Sequence, residues 1–283
     1  MCMPAQSAHA EADIYVGTNV HKPTVKRWLA AASSASFDSI TWIWNLPEKD
    51  RYHKNGRRDT LLTVPDTAVP EHITVVVWFH GLGGYTEKGF VKRILPQMET
   101  LVAGENSFAL AIPEMPWSIN TSTPRGRQGR VWQKPEELKK YVDDLKEHLE
   151  TWAIIKHGKP LGDMRLIFVG HSAGGSAIMS AAREGSLCKV QPDAVIWSDA
   201  SYGSWLDKTM SSCVKNLDTQ LHILVRKWDK PHQSAERVMK AVRRRSPPPV
   251  PDIRYQVLDR KKWTHSRIGN NVFSLTDVFP PGC

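Results

Sequence analysis

The sequence lacks several features that would fix its class at once. Cysteine is scarce: Cys2, Cys188, Cys213 and Cys283 are the only four, and no two stand in a C-x-x-C spacing. That spacing excludes a zinc knuckle, and no metal or cofactor is implied. No run approaches the ~20 apolar residues that a bilayer-spanning helix needs, so we expect no membrane span. Zinc-finger patterns and RNA-binding signatures are missing. So is a phosphate-cradling G-x-x-x-x-G-K-[ST] loop. No internal repeat or interdomain linker stands out. The opening MCMPAQSAHAEAD holds Ala8-His9-Ala10, like the small-residue end of an export signal, but not the apolar core of one. Residues 1–15 read as a tail, either the remnant of a trimmed signal or an unrelated segment. We favour an exported protein, periplasmic or extracellular, with residues 16–283 forming one domain.

What the sequence does contain is a net charge of +9. Such a balance attracts acidic partners, or it serves solubility alone. With no accompanying signature, a nucleic-acid role is disfavoured. The eleven tryptophans have two uses, gripping sugars or flat apolar ligands in loops and filling the core. Cys188 and Cys213 flank one predicted strand and are close enough in sequence to be a candidate pair, but spacing cannot supply the geometry of a bridge.

From residue 73 on, apolar stretches alternate with turn-rich ones. ITVVVWFHG (73–81) is apolar without alternation, the pattern of a strand buried on both faces in a parallel sheet. A helix is expected from about Lys88 to Val102, then a buried strand in SFALAIPEM (107–115). Residues 116–134 have no period and read as a long loop. Leu138, Val142, Leu145, Leu149 and Trp152 recur at helical steps from Pro135 to about Lys156. MRLIFVGHS (164–172), DAVIWSD (193–199), LHILVRK (221–227) and IRYQVLD (253–259) read as strands, with helices at 174–185 and 234–244. SITWIW (39–44) and DTLLTV (59–64) add two strands at the N-terminal side. The succession predicts an α/β fold with a mostly parallel central sheet flanked by helices.

The chemistry gathers at the predicted carboxyl ends of these strands, where parallel sheets place reactive groups. Ser172 lies between Gly170 and Gly174, after a strand and before a small-residue helix. A serine on such a sharp turn is either an exposed nucleophile or merely a helix cap, and the small flanking residues favour the nucleophile. The strand at 73–80 ends in His80-Gly81-Leu82-Gly83-Gly84. A glycine-rich turn lets backbone amides face a developing oxyanion, so the N–H groups of Leu82 and Ala173 are the candidate donors.

FHGLGG (79–84), GHSAGG (170–175) and a late histidine together resemble the α/β-hydrolases, over roughly residues 73–270. The resemblance implies an eight-stranded, mostly parallel sheet and a serine–acid–histidine triad in that chain order. Of eleven histidines, His265 follows the last predicted strand and is the candidate base; His232 is its rival, while His80, His171 and His222 lie within motifs or a strand. For the acid, Asp199 and Asp229 both end strands. Most α/β-hydrolases resemble the Asp229 arrangement and a minority the Asp199 one. Asp229 stands between Lys227 and Lys230, as a solvated carboxylate would, whereas Asp199 is framed by small residues. We favour Asp199, with Asp229 as the alternative.

The loop at 116–134 follows a strand and so belongs to the active face. Arg125, Arg127 and Arg130 are candidates to receive a carboxylate or phosphate, and Trp117 and Trp132 to wall a pocket. The other reading is a solvated basic loop. These features predict a serine hydrolase cleaving a carboxylic ester through an acyl-enzyme, on a small or polymer-linked acyl substrate, anionic or glycan-linked if the arginines take part. Acyl transfer, amide or thioester cleavage would use the same groups. A non-catalytic binding protein on this scaffold is the remaining alternative.

Overall fold

A computed structural model describes residues 39–45, 59–65, 68–81, 94, 97–98, 100–101, 107–113, 115, 136–244 and 252–279. The tail at 1–15, Leu82 and the loop at 116–134, with Trp117, Arg125, Arg127, Arg130 and Trp132, lie outside the described residues. The helix expected near 88–102 falls largely outside them too, although Gln97, Met98, Thr100 and Leu101 are helical.

Eight strands form one sheet: β1 (Ser39–Asn45), β2 (Asp59–Pro65), β3 (His72–Phe79), β4 (Phe108–Pro113), β5 (Asp163–His171), β6 (Ala194–Ser198), β7 (Gln220–Arg226) and β8 (Ile253–Leu258). Their spatial order is β1-β2-β4-β3-β5-β6-β7-β8. β2 runs antiparallel to both of its neighbours, β1 and β4. Every pair from β4 to β8 is parallel. The carboxyl ends of β3 to β8 therefore share one edge.

Successive strand residues point to opposite faces, and both faces of this sheet are covered. Val75, Val77 and Phe79 pack toward one layer, with Trp152, Ile178 and Val238. Val76 and Trp78 pack toward the other, with Ile268, Phe273 and Phe279. This is why β3 reads as continuously apolar rather than alternating.

Helix α1 (Glu137–His157) covers one face and buries Leu138, Tyr141, Val142, Leu145, Leu149 and Trp152 at helical spacing. It stops at Gly158, whose left-handed backbone lets its N–H reach the Ile154 carbonyl. The next helices are α2 (Gly175–Arg183), α3 (Ser186–Val190), α4 (Trp205–Met210) and α5 (Lys230–Val242). Two short ones close the chain, α6 (His265–Gly269) and α7 (Val272–Leu275).

The helix expected at 234–244 thus begins earlier, at Lys230. Asp229 occupies its N-cap position and Pro231 its first turn, where proline costs no hydrogen bond. His265, expected in a loop, opens a helix instead; the Thr264 hydroxyl caps it by accepting the Arg267 N–H at 3.1 Å.

Cys188 and Cys213 are bridged, their Cα atoms 6.1 Å apart. The loop so closed contains β6 and the residues that follow it. Among the described residues, no helix is long and apolar enough to cross a membrane.

Candidate active site

β5 ends at His171 in extended backbone, and Ser172 turns sharply with a φ of 55°. A non-glycine residue held there costs about 1–3 kcal/mol, a cost the surroundings must offset. One tight 3-10 turn, Ser172–Gly174, then leads into α2. The turn can form only if Gly174 has no side chain: a Cβ there would sit 1.9 Å from the Phe79 carbonyl oxygen. The turn after β3 presses on Ser172 as well. A Cβ on Gly81 would lie 2.9 Å from the Ser172 Cβ and 3.5 Å from its Oγ. Ala173, the described candidate for an oxyanion donor, is buried at the start of the 3-10 turn, where N–H groups have no partner within the helix.

His80 holds the turn after β3. Its Nδ1–H donates to the Gly81 carbonyl at 2.7 Å, and its Nε2 accepts the Met115 N–H at 3.0 Å. That assignment makes His80 neutral and structural.

The end of β6 repeats the strain of β5. Asp199 has a φ of 48° and is 1% exposed. Its carboxylate accepts two hydrogen bonds: Oδ1 from the Arg226 N–H at 3.2 Å and Oδ2 from His265 Nδ1–H at 2.7 Å. The imidazole is thereby fixed in the tautomer whose other nitrogen, Nε2, can accept a proton. The His265 side chain is about a third exposed, in contrast to the buried carboxylate.

The His265 ring stacks on His171, the residue before Ser172, with centroids 4.7 Å apart and planes 28° apart. His171 is itself anchored by an Nδ1–H bond to the Ser198 carbonyl at 3.0 Å. From the other side, buried Gln97 clamps the helix that carries His265. Its amide donates to the Gly269 carbonyl at 3.0 Å and accepts the Phe273 N–H at 3.3 Å.

The alternative acid has a different partner. Asp229 is ion-paired to the Arg226 guanidinium. The rival base His232 accepts the Trp228 N–H at 3.1 Å through Nδ1. His222 is buried in β7, and burial, followed by the Arg254 charge, lowers its pKa to about 4. The structure brings Ser172, Asp199 and His265 together on one edge; Asp229 follows the neighbouring strand at that edge but pairs with Arg226, and His232 lies in α5.

Tyr202, which nothing in the sequence singles out beyond its position three residues past Asp199, also reaches this cluster. Burial first, then the Asp199 charge, pushes its pKa up, while the nearby Ser172 side chain acts to lower it. Its ring lies edge-on to His265, centroids 6.5 Å apart.

No family model and no curated protein sequence matches the chain. Among solved structures, it is similar to FphF, a fluorophosphonate-binding serine hydrolase of Staphylococcus aureus with substrate bound. The two are 12% identical, the match covers 83% of this chain and 96% of that one, and the TM-score is 0.51. Matches to a ferulic acid esterase (17% identity, 86% and 100% coverage, TM-score 0.48) and to an IroE-like serine hydrolase of Shewanella oneidensis (15%, 83% and 78%, 0.47) are looser. At such identities the likeness is one of architecture: the chain has the α/β-hydrolase fold.

Proposed function

We propose that this chain is a serine hydrolase that cleaves a carboxylic ester through an acyl-enzyme, with Ser172 as nucleophile, His265 as base and Asp199 as the acid that orients it. The observation that carries the reading is the 2.7 Å bond from His265 Nδ1 to a carboxylate that is 1% exposed. A buried anion bonded to the imidazole orients the ring and steadies the imidazolium as it forms.

In acylation, Ser172 Oγ bonds to the ester carbonyl carbon as its proton passes to His265 Nε2. The carbon–alkoxy oxygen bond then breaks, and the departing oxygen takes that proton. Water repeats the sequence on the acyl-enzyme and returns the proton to Ser172. The Ala173 N–H, together with that of Leu82, would receive the oxyanion, a preorganised contribution that costs no reorganisation during the step. In sequence, residues 116–134 follow β4, whose carboxyl end lies at the same sheet edge. Arg125, Arg127 and Arg130, with Trp117 and Trp132, are proposed to meet an acidic or glycan-linked part of the substrate. The Cys188–Cys213 bridge supports an oxidising, exported setting.

Turnover of short-chain esters tests this. Ser172→Ala and His265→Ala should each lower kcat by about 10⁴-fold or more. Undiminished turnover in Ser172→Ala would overturn the reading.

A further inference from the structure

The segment after Asp199 is built as firmly as the strand ends. Ser201 Oγ–H donates to the Pro231 carbonyl at 2.8 Å, and the Tyr202 N–H donates to the Ala200 carbonyl at 2.9 Å. The Tyr202 ring then packs edge-on against Trp205, centroids 5.7 Å apart. So fixed, the ring stands edge-on to His265, and the Ser172 side chain is near enough to act on the phenol. A substrate oxygen leaving the Ser172-bound carbon must meet His265, and Tyr202 is the phenol that borders the His265 ring on the Ser172 side.

We propose that Tyr202 is a further catalytic residue, whose O–H donates a hydrogen bond to the leaving alkoxy oxygen while His265 delivers the proton. This rests on the ester-hydrolase reading above. The atoms balance without a new reactant. The Oγ–carbonyl bond forms, the carbon–alkoxy bond breaks, the Ser172 proton reaches the departing oxygen through His265, and Tyr202 keeps its own proton. The raised pKa of the phenol keeps it a neutral donor at neutral pH. Deacylation reverses the geometry, and the same O–H then holds the attacking water.

Leaving-group dependence separates this role from mere packing. A nitrophenolate departs with little help, whereas an alkoxide needs its charge met as the bond breaks. Tyr202→Phe, which removes one oxygen, is compared with wild type on nitrophenyl and ethyl esters of one short acid. The measured quantity is kcat/KM, which reports steps through acylation. The ethyl ester should lose about 10- to 100-fold, and the nitrophenyl ester less than about threefold. Labelling of Ser172 by a fluorophosphonate should also change by less than about threefold, since fluoride leaves unaided. Equal losses on both esters, or none on either, would overturn the role of Tyr202 while leaving wild-type ester turnover intact. A wild type that neither turns over esters nor takes the label would instead overturn the hydrolase reading, and the role of Tyr202 with it.

Discussion

Two aspartates end neighbouring strands, and Arg226 touches both. At the end of β6, Asp199 is buried in left-handed backbone and takes hydrogen bonds from the Arg226 amide and from His265. At the end of β7, Asp229 pairs with the Arg226 side chain and stands at the N-cap position of α5. One carboxylate is held where its charge meets an imidazole; the other meets a guanidinium at the start of α5. Equal position in the fold does not give equal chemistry. What separates them is which neighbour lies within hydrogen-bond reach and how much water remains.

The largest expected effect tests that contrast directly. Asp199→Asn should lower kcat for ester hydrolysis by about 10³- to 10⁴-fold, because an amide favours the wrong imidazole tautomer. Asp229→Asn should change turnover by less than about threefold and cost less than about 1 kcal/mol of stability in denaturant unfolding, from the lost ion pair with Arg226. Reversed kinetic effects would exchange the two roles.

The bridge sharpens the comparison, since it encloses Asp199 and Tyr202 but not Asp229. Closing a loop across its 25-residue separation contributes about 3.5 kcal/mol by the chain-entropy account. Replacing Cys188 and Cys213 by serine should lower unfolding stability by roughly that amount. Before global unfolding, it should loosen the Asp199 loop, visible as faster amide exchange at 199–203 than at 226–230.

A smaller, pH-dependent effect belongs to β7 itself. His222 has its folded pKa lowered to about 4, so the unfolded chain takes up its proton first as pH falls. Stability is therefore fully present above about pH 6.5 and is lost as pH falls toward the folded value, by about 3 kcal/mol at most. In His222→Leu, the unfolding midpoint should vary less between pH 7 and pH 4, while the pH profile of turnover, set at the other end of the sheet, should stay unchanged.

Much of this was legible in the chain. The unbroken apolar run Val75–Phe79 announced a strand covered on both faces, and Gly170-His171-Ser172-Ala173-Gly174 announced a turn with no room for side chains. Local patterns carry such features because their causes are local. The contrast between Asp199 and Asp229 was only partly legible. Small neighbours hinted at burial, but the partner that decides it lies 66 residues away. The early start of α5 was missed although its signals, Asp229 and Pro231, are in the sequence; the polar stretch KPHQ masked them. Thr264 as the cap of the His265 helix was missed in the same way. Tyr202 had no local signature, since its significance arises only where the β5 and β6 ends meet.

The account's central claim is that His265, held by Asp199, activates the Ser172 hydroxyl. The most direct measurement is mass-spectrometric mapping of the adduct formed with a fluorophosphonate. The wild type should carry it on Ser172, Ser172→Ala should carry none, and His265→Ala should form it at least about 10³-fold more slowly. An adduct on another residue, or equally fast labelling of Ser172 without His265, would contradict the account.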